Sequence, residues 1–152
     1  MDKALFLDID GVLNNRPFLE KVQSGTELDP RNVMYFNHII TQTKCKVVVS
    51  SAWRLYHTWN NLLTILSMQG VDTRTFIGVT EDSKNIMNRG EEIHNYLIYH
   101  YLAKIKIDNF VILDDERDHL VSFPNQEKIV YTDFKVGLTK EKAELAIHIL
   151  GS

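Results

Sequence analysis

The sequence predicts an α/β fold: a central, mostly parallel five-stranded sheet with helices on both faces, forming one domain over 1–152. Three observations carry this. Short apolar runs alternate along the chain with segments of helical periodicity, the pattern of strands joined by crossover helices. The runs Ala4–Leu7 and Val47–Val49 lack apolar–polar alternation and so read as strands covered on both faces. Several runs end abruptly in carboxylates or hydroxyls, where a parallel sheet binds ligands.

At 152 residues the chain is large enough for one core. The formal charge of -3, with both signs interspersed, gives no global basic field for nucleic acid or an anionic membrane. A local basic rim is compatible with it. Cys45 is the sole cysteine, which excludes an internal disulfide and a multi-cysteine zinc site and fits a reducing compartment. Asp8 and Asp10 interrupt the first apolar run after four residues, so there is no signal-peptide pattern, and no run is long enough to cross a bilayer. The expectation is a soluble cytoplasmic protein without a membrane partner.

The first strand, ending at Leu7, leads into Asp8, Asp10 and Gly11. Asn14 to Thr26 is polar, contains Pro17, Ser24 and Gly25, and reads as a loop or flap. Asp29-Pro30 is a helix start, an acid at the cap and proline at the first helical position, for a helix from about Pro30 to Thr43. Cys45 to Val49 is the second strand. Trp59, Leu62, Leu63 and Leu66 recur at helical spacing within Tyr56 to Gln69, and Gly70 ends that helix. Thr75 to Val79 is a third strand, and Arg89 to about Ile105 a helix with Glu91 and Glu92 in its first turn, as the macrodipole favours. Phe110 to Leu113 and Ile129 to Tyr131 complete the sheet, and Thr139 caps a last helix reaching Leu150.

Two acids one residue apart repel each other, and a divalent cation is the simplest compensation. The hard oxygens of Asp8 and Asp10 suit magnesium better than zinc. On its own, D-x-D-G is equally an ordinary turn after a strand. The other strand ends break the tie: the second carries Ser50 and Ser51, the fourth Asp114 and Asp115, and Lys84 and Arg89 lie between them in sequence. A nucleophilic carboxylate, a hydroxyl, a cation and metal-binding acids are what phosphoryl transfer through an aspartyl-phosphate requires. The six histidines show no close pair with metal-ligand spacing.

Four motifs in order, LDIDGVLN, VVVSSAWR, RGEEI and VILDDERD, resemble the haloacid dehalogenase (HAD) superfamily of phosphotransferases over almost the whole chain. More narrowly, SSAWR at Ser50–Arg54, RGEEI at Arg89–Ile93 and GLT at Gly137–Thr139 resemble the HAD domains associated with multi-activity RNA repair proteins. The resemblance implies a three-layer Rossmann-like fold and a Mg2+-dependent phosphomonoesterase. It makes Asp8 the nucleophile, Asp10 the proton donor and acceptor, and Ser50 a donor to the transferring phosphoryl group. Magnesium is expected on the Asp8 carboxylate, the Asp10 carbonyl and Asp115, with Asp114 orienting the cation and water. The superfamily usually has lysine in its third motif, which Lys84 matches, whereas the local match favours Arg89. Trp53 and Arg54 follow the second strand closely and are expected near the mouth with Ser51, where Trp53 either stacks on a base or covers the helix beneath it.

Asn14–Asp29 and Ser51–Glu81 are too short to hold an inserted cap in addition to their own elements, so no large cap and an open site are expected. An open site admits a phosphorylated polymer, and the narrower resemblance points to a polynucleotide end, with Arg16 and Lys21 also near enough in sequence to line the mouth. The competing readings are a nucleotidase or small-metabolite phosphatase, a phosphoacceptor module and a catalytically silent binding domain. In a receiver-type module the acceptor acid ends a middle strand, and no Asp follows Val49 or Val79 directly.

Overall fold

The computed structural model describes residues 2–23, 26–82, 88–102 and 107–151. Strands β1 (Asp2–Leu7), β2 (Lys46–Val49), β3 (Phe76–Val79), β4 (Ile107–Asp114) and β5 (Ile129–Tyr131) form one sheet in the order β3-β2-β1-β4-β5. Every strand pairing is parallel. Leu7 lies opposite Val49 on one side and Leu113 on the other. The next ladder bonds, Asp8 N–H to the Leu113 carbonyl and Ser50 N–H to the Leu7 carbonyl, bring Asp8, Ser50 and Asp114 to one level of the sheet edge. Register alone therefore gathers three motifs that are far apart in sequence. The connections on the two sides of β1 run over opposite faces, which opens the crevice beyond the strand ends.

Helices α2 (Pro30–Thr43), α3 (Trp59–Met68) and α5 (Lys140–Leu150) cover one face, where Leu5, Leu7, Val47, Val49, Val111 and Leu113 meet Phe36, Ile39, Leu62, Leu66 and Ile147. Helix α4 (Arg89–Leu102) covers the other, where Ala4, Phe6, Val48 and Ile112 meet Ile93, Leu120 and Phe123. Alternate residues of one strand serve opposite cores, so β1 is uninterrupted apolar sequence. Burying each of its large side chains contributes about 1.5–3 kcal/mol. No described helix is long and apolar enough to cross a membrane.

Several boundaries differ from expectation, each for a local reason. The stretch read as a loop from Asn14 to Thr26 contains helix α1 (Arg16–Val22), because Asn15 caps it by accepting from Phe18 N–H and Pro17 sits in its first turn. Helix α3 begins at Trp59 rather than Tyr56: Ser51 caps a separate 3-10 turn over Ala52–Leu55, and Thr58 then caps α3 through Asn61 N–H. Strand β4 extends back to Ile107 because it pairs with β1 from Asp2 onward.

A buried amide network ties the loop after β1 to the loop before α5. Asn15 donates to both Asp29 (2.8 Å) and Asn32 (3.0 Å), and Asn32 donates to the carbonyls of Val136 (3.1 Å) and Leu138 (2.9 Å). Leu138 N–H reaches the Val12 carbonyl, Arg16 N–H the Phe134 carbonyl, and the Thr132 hydroxyl the Gly11 carbonyl. Gly137 lies at φ +70°, where a side chain would also collide with Asn32. Asn32→Ala strands buried polar groups on both sides and is expected to cost about 1–3 kcal/mol. The check is a lower urea midpoint with an unchanged slope.

Candidate active site

The site is built on charge crowding at the ends of β1 and β4. Asp8, Asp114 and Asp115 each place a carboxylate oxygen within 4.8 Å of the others. Asp114 is fully buried and Asp8 nearly so. Arg89, the first residue of α4, enters this cluster: its Nη1 is 2.8 Å from Asp114 and 3.4 Å from Asp8. The remaining Asp114 oxygen accepts from Glu116 N–H (2.8 Å), so one Asp114 oxygen holds Arg89 and the other the loop. Asp8 accepts from Ile9 N–H (2.9 Å).

Burial, followed by the charge of Asp114 and a smaller push from Asp115, raises the Asp8 carboxyl well above the ordinary aspartate value, with Arg89 opposing. Asp115 rises to about 6, through burial and the charges of Asp114 and Glu116, with its hydrogen bond to Asp8 opposing. Burial works against the charge of Arg89, yet Asp8 and Asp114 hold it firmly protonated. Gly11 is required here: it lies at φ +81°, and a Cβ would stand on the Asp115 carboxylate.

Asp10 is held apart from this cluster. Its carboxylate accepts from the Asn14 amide on one oxygen (2.9 Å) and from the Trp53 indole N–H on the other (3.1 Å), while Asn14 also accepts from Gly11 N–H (2.9 Å). Trp53 is buried, so it does not offer a free face for a base; its role in the structure is to fix Asp10. Arg54 likewise turns inward instead of lining the mouth. It bonds the carbonyls of Thr80 (2.9 Å) and Ser51 (2.8 Å) and pairs with buried Glu92 (2.9 Å), linking the segments after β2 and β3 to the first turn of α4 and hence to Arg89. Asn14 and Glu92 were missed as site residues. The signal for Asn14 was an Asx side chain closing the turn after Asp10, and for Glu92 an acid one helical turn from Arg89.

Ser50 is fully buried, and its hydroxyl finds no partner among the described residues. Ser51 and Ala52 line a cavity of about 220 Å³ together with Asp8, Asp10, Arg89, Asp115, Glu116, His119 and Phe134. Lys84, the alternative cation, lies outside the described residues.

A family model described as the HAD domain in Swiss Army Knife RNA repair proteins matches residues 4–143. The chain belongs to this HAD family. Among solved structures, the HAD domain of effector protein Lem4 from Legionella pneumophila is similar at a TM-score of 0.58 and 15% identity, covering 99% of this chain and 94% of that one. At that identity the likeness extends to the fold. No curated protein matches the chain.

The donor set of this HAD domain fits a hard divalent cation: acceptor-only carboxylates crowd together without a histidine or thiol among them. Asp8, Asp114 and Asp115 form this set, and Asp114 also holds Arg89 and the Glu116 N–H. Because the native state holds the Asp115 proton more tightly than the unfolded chain, this residue favours the metal-free fold at low pH. That contribution is lost as pH rises from about 4, the ordinary aspartate value, through about 6. Asp115→Asn is therefore expected to raise the melting temperature of the metal-free protein above about pH 6, and, with one carboxylate of the cluster gone, to show a smaller rise in melting temperature on adding Mg2+ than the unsubstituted chain is expected to show. Thermal melts in chelator and in Mg2+ check both parts; equal Mg2+ responses from the two proteins contradict the assignment.

Proposed function

We propose that this chain is a Mg2+-dependent phosphomonoester hydrolase acting through an aspartyl-phosphate on Asp8, with phosphorylated nucleic-acid ends as its substrates. The observation that carries the reading is the Asp8 carboxylate at the end of β1, facing the Arg89–Asp114 pair in a cavity that Asp10 also lines. Asp8, Asp115 and the Asp10 carbonyl would hold magnesium, which would supply positive charge against the acids and the phosphoryl oxygens.

An Asp8 oxygen attacks phosphorus while the bond to the leaving oxygen breaks, and Asp10 gives that oxygen a proton. Water then attacks the phosphorylated Asp8, Asp10 takes its proton, and inorganic phosphate leaves with the Asp8 carboxylate restored. Arg89 offsets charge on the phosphoryl oxygens, and the Ser50 hydroxyl, which has no partner among the described residues, donates a hydrogen bond to one of them. Asn14 and Trp53 keep the Asp10 carboxylate in one orientation, and each oxygen retains a lone pair for the proton.

Two features favour a polymer end. The cavity of about 220 Å³ is small beside pockets that enclose whole metabolites, at roughly 300–1,000 Å³, and no inserted domain covers it among the described residues. The family description names RNA repair proteins. With a formal charge of -3, recognition involves a few nucleotides at most.

Asp8→Asn is expected to reduce phosphate release from p-nitrophenyl phosphate by orders of magnitude while circular dichroism stays unchanged; near-normal turnover removes Asp8 from its role. Trp53→Phe separates positioning from packing through the leaving group. An alkyl phosphate needs the proton from Asp10, whereas p-nitrophenolate leaves with little help. The kcat/KM of the substituted protein should fall about 10–100-fold on the alkyl ester and far less on the aryl ester. Equal losses on the two esters make Trp53 a packing residue only.

A further inference from the structure

Beside the catalytic cavity lies a larger groove of about 530 Å³ between β5 and the start of α5. Asp115 and Phe134 line both, so the two spaces adjoin at these residues. The cavities around Asn95 and around Pro17 share no lining residue with the catalytic one. The groove carries two cations, Arg117 and Lys142, whose side chains have no hydrogen bond or ion pair among the described residues. Arg117 stacks over the Tyr131 ring, 4.2 Å from its centroid, and Arg16 lies over Phe134 at 5.6 Å. The acids of the groove are Asp115, which belongs to the metal site, and Asp133, which accepts from Lys135 N–H on the rim.

We infer that this groove binds the one or two nucleotides adjoining the phosphorylated end of a single nucleic-acid strand. The inference rests on the phosphatase reading and deepens it by giving the strand a path. The catalytic cavity is small beside pockets that enclose whole metabolites, so the rest of a polymeric substrate continues into the adjoining groove. A strand offers flat bases and a phosphate at each step, and the groove offers the matching chemistry. The Phe134 ring stands at the junction where the terminal base arrives, the Arg117–Tyr131 stack gives a second planar surface, and the unpaired charges of Arg117 and Lys142 meet the next phosphate. A phosphopeptide supplies no repeating anion and no obligatory ring.

The test is fluorescence anisotropy with the Asp8→Asn chain in Mg2+, which binds without turnover. The probes are single-stranded tetranucleotides phosphorylated at either end, the matching mononucleotides as competitors and a phosphoserine tetrapeptide. A phosphorylated tetranucleotide should bind about tenfold tighter than its mononucleotide. Adding Arg117→Ala and Lys142→Ala should erase that preference and reduce the slope of log Kd against log salt by about 0.7 per cation removed. Calorimetric melts show whether the substituted chain is folded, and the single substitutions serve if the double one is not. Absent tetranucleotide binding, a preference unchanged by the substitutions, or tighter binding of the peptide overturns the groove. If the binding pattern holds but the unsubstituted chain releases no phosphate from any of these esters, the phosphatase reading fails instead.

Discussion

Parallel pairing of β1 with β4 brings Asp8 beside Asp114 and Asp115, and three carboxylates at that spacing cannot all be ionised without compensating charge. Arg89 supplies one positive charge, through contacts with Asp114 and Asp8. The raised proton affinities of Asp8 and Asp115 relieve the rest of the repulsion in the metal-free fold, and the carboxylate donor set suits a hard divalent cation. The surrounding structure is arranged to keep this unfavourable assembly in place: the ladder bond from Asp8 N–H to Leu113 fixes its level, Gly11 leaves room for the Asp115 carboxylate, and the Thr132 hydroxyl secures the Gly11 carbonyl.

The motifs are coupled to each other as well as to the site. Buried Arg54 joins the second motif to Glu92 in the third, so the first turn of α4, and with it Arg89, is oriented by the strand that carries Ser50. Removing either partner leaves the other's buried charge less well compensated, a larger penalty than the pair's net contribution to stability. Trp53 joins the second motif to the first through Asp10. The GLT turn acts at a distance, because Asn32 and Leu138 tie it to the loop after β1. The sequence signature thus mixes residues of the cavity with residues that hold the cavity walls together.

The architecture was legible because β1 and β2 are covered on both faces and the helices have one apolar side, patterns that survive in a single sequence. The cluster of Asp8, Arg89, Asp114 and Asp115 was legible because each residue stands at a strand end or helix start. Side-chain direction was not. Trp53 and Arg54 were read toward the mouth from their nearness to β2, but the 3-10 turn capped by Ser51 rotates both inward, where their N–H donors meet Asp10, Glu92 and backbone carbonyls. Helix α1 was hidden because it is short, with Phe18, Leu19 and Val22 its few apolar positions in a polar stretch, and Pro17 was read as a loop signal. The groove around Arg117 and Lys142 is assembled from segments that become neighbours after folding, which local spacing does not reveal.

The central claim is that the Asp8 carboxylate becomes covalently phosphorylated. Acid quench during turnover of a phosphomonoester in Mg2+, followed by proteolysis and mass spectrometry, reads that bond directly. The account predicts one added phosphoryl group, on the peptide containing Asp8, lost on treatment with hydroxylamine and absent without Mg2+. Phosphate release at full rate with no adduct at any quench time, or with the adduct on another residue, contradicts it.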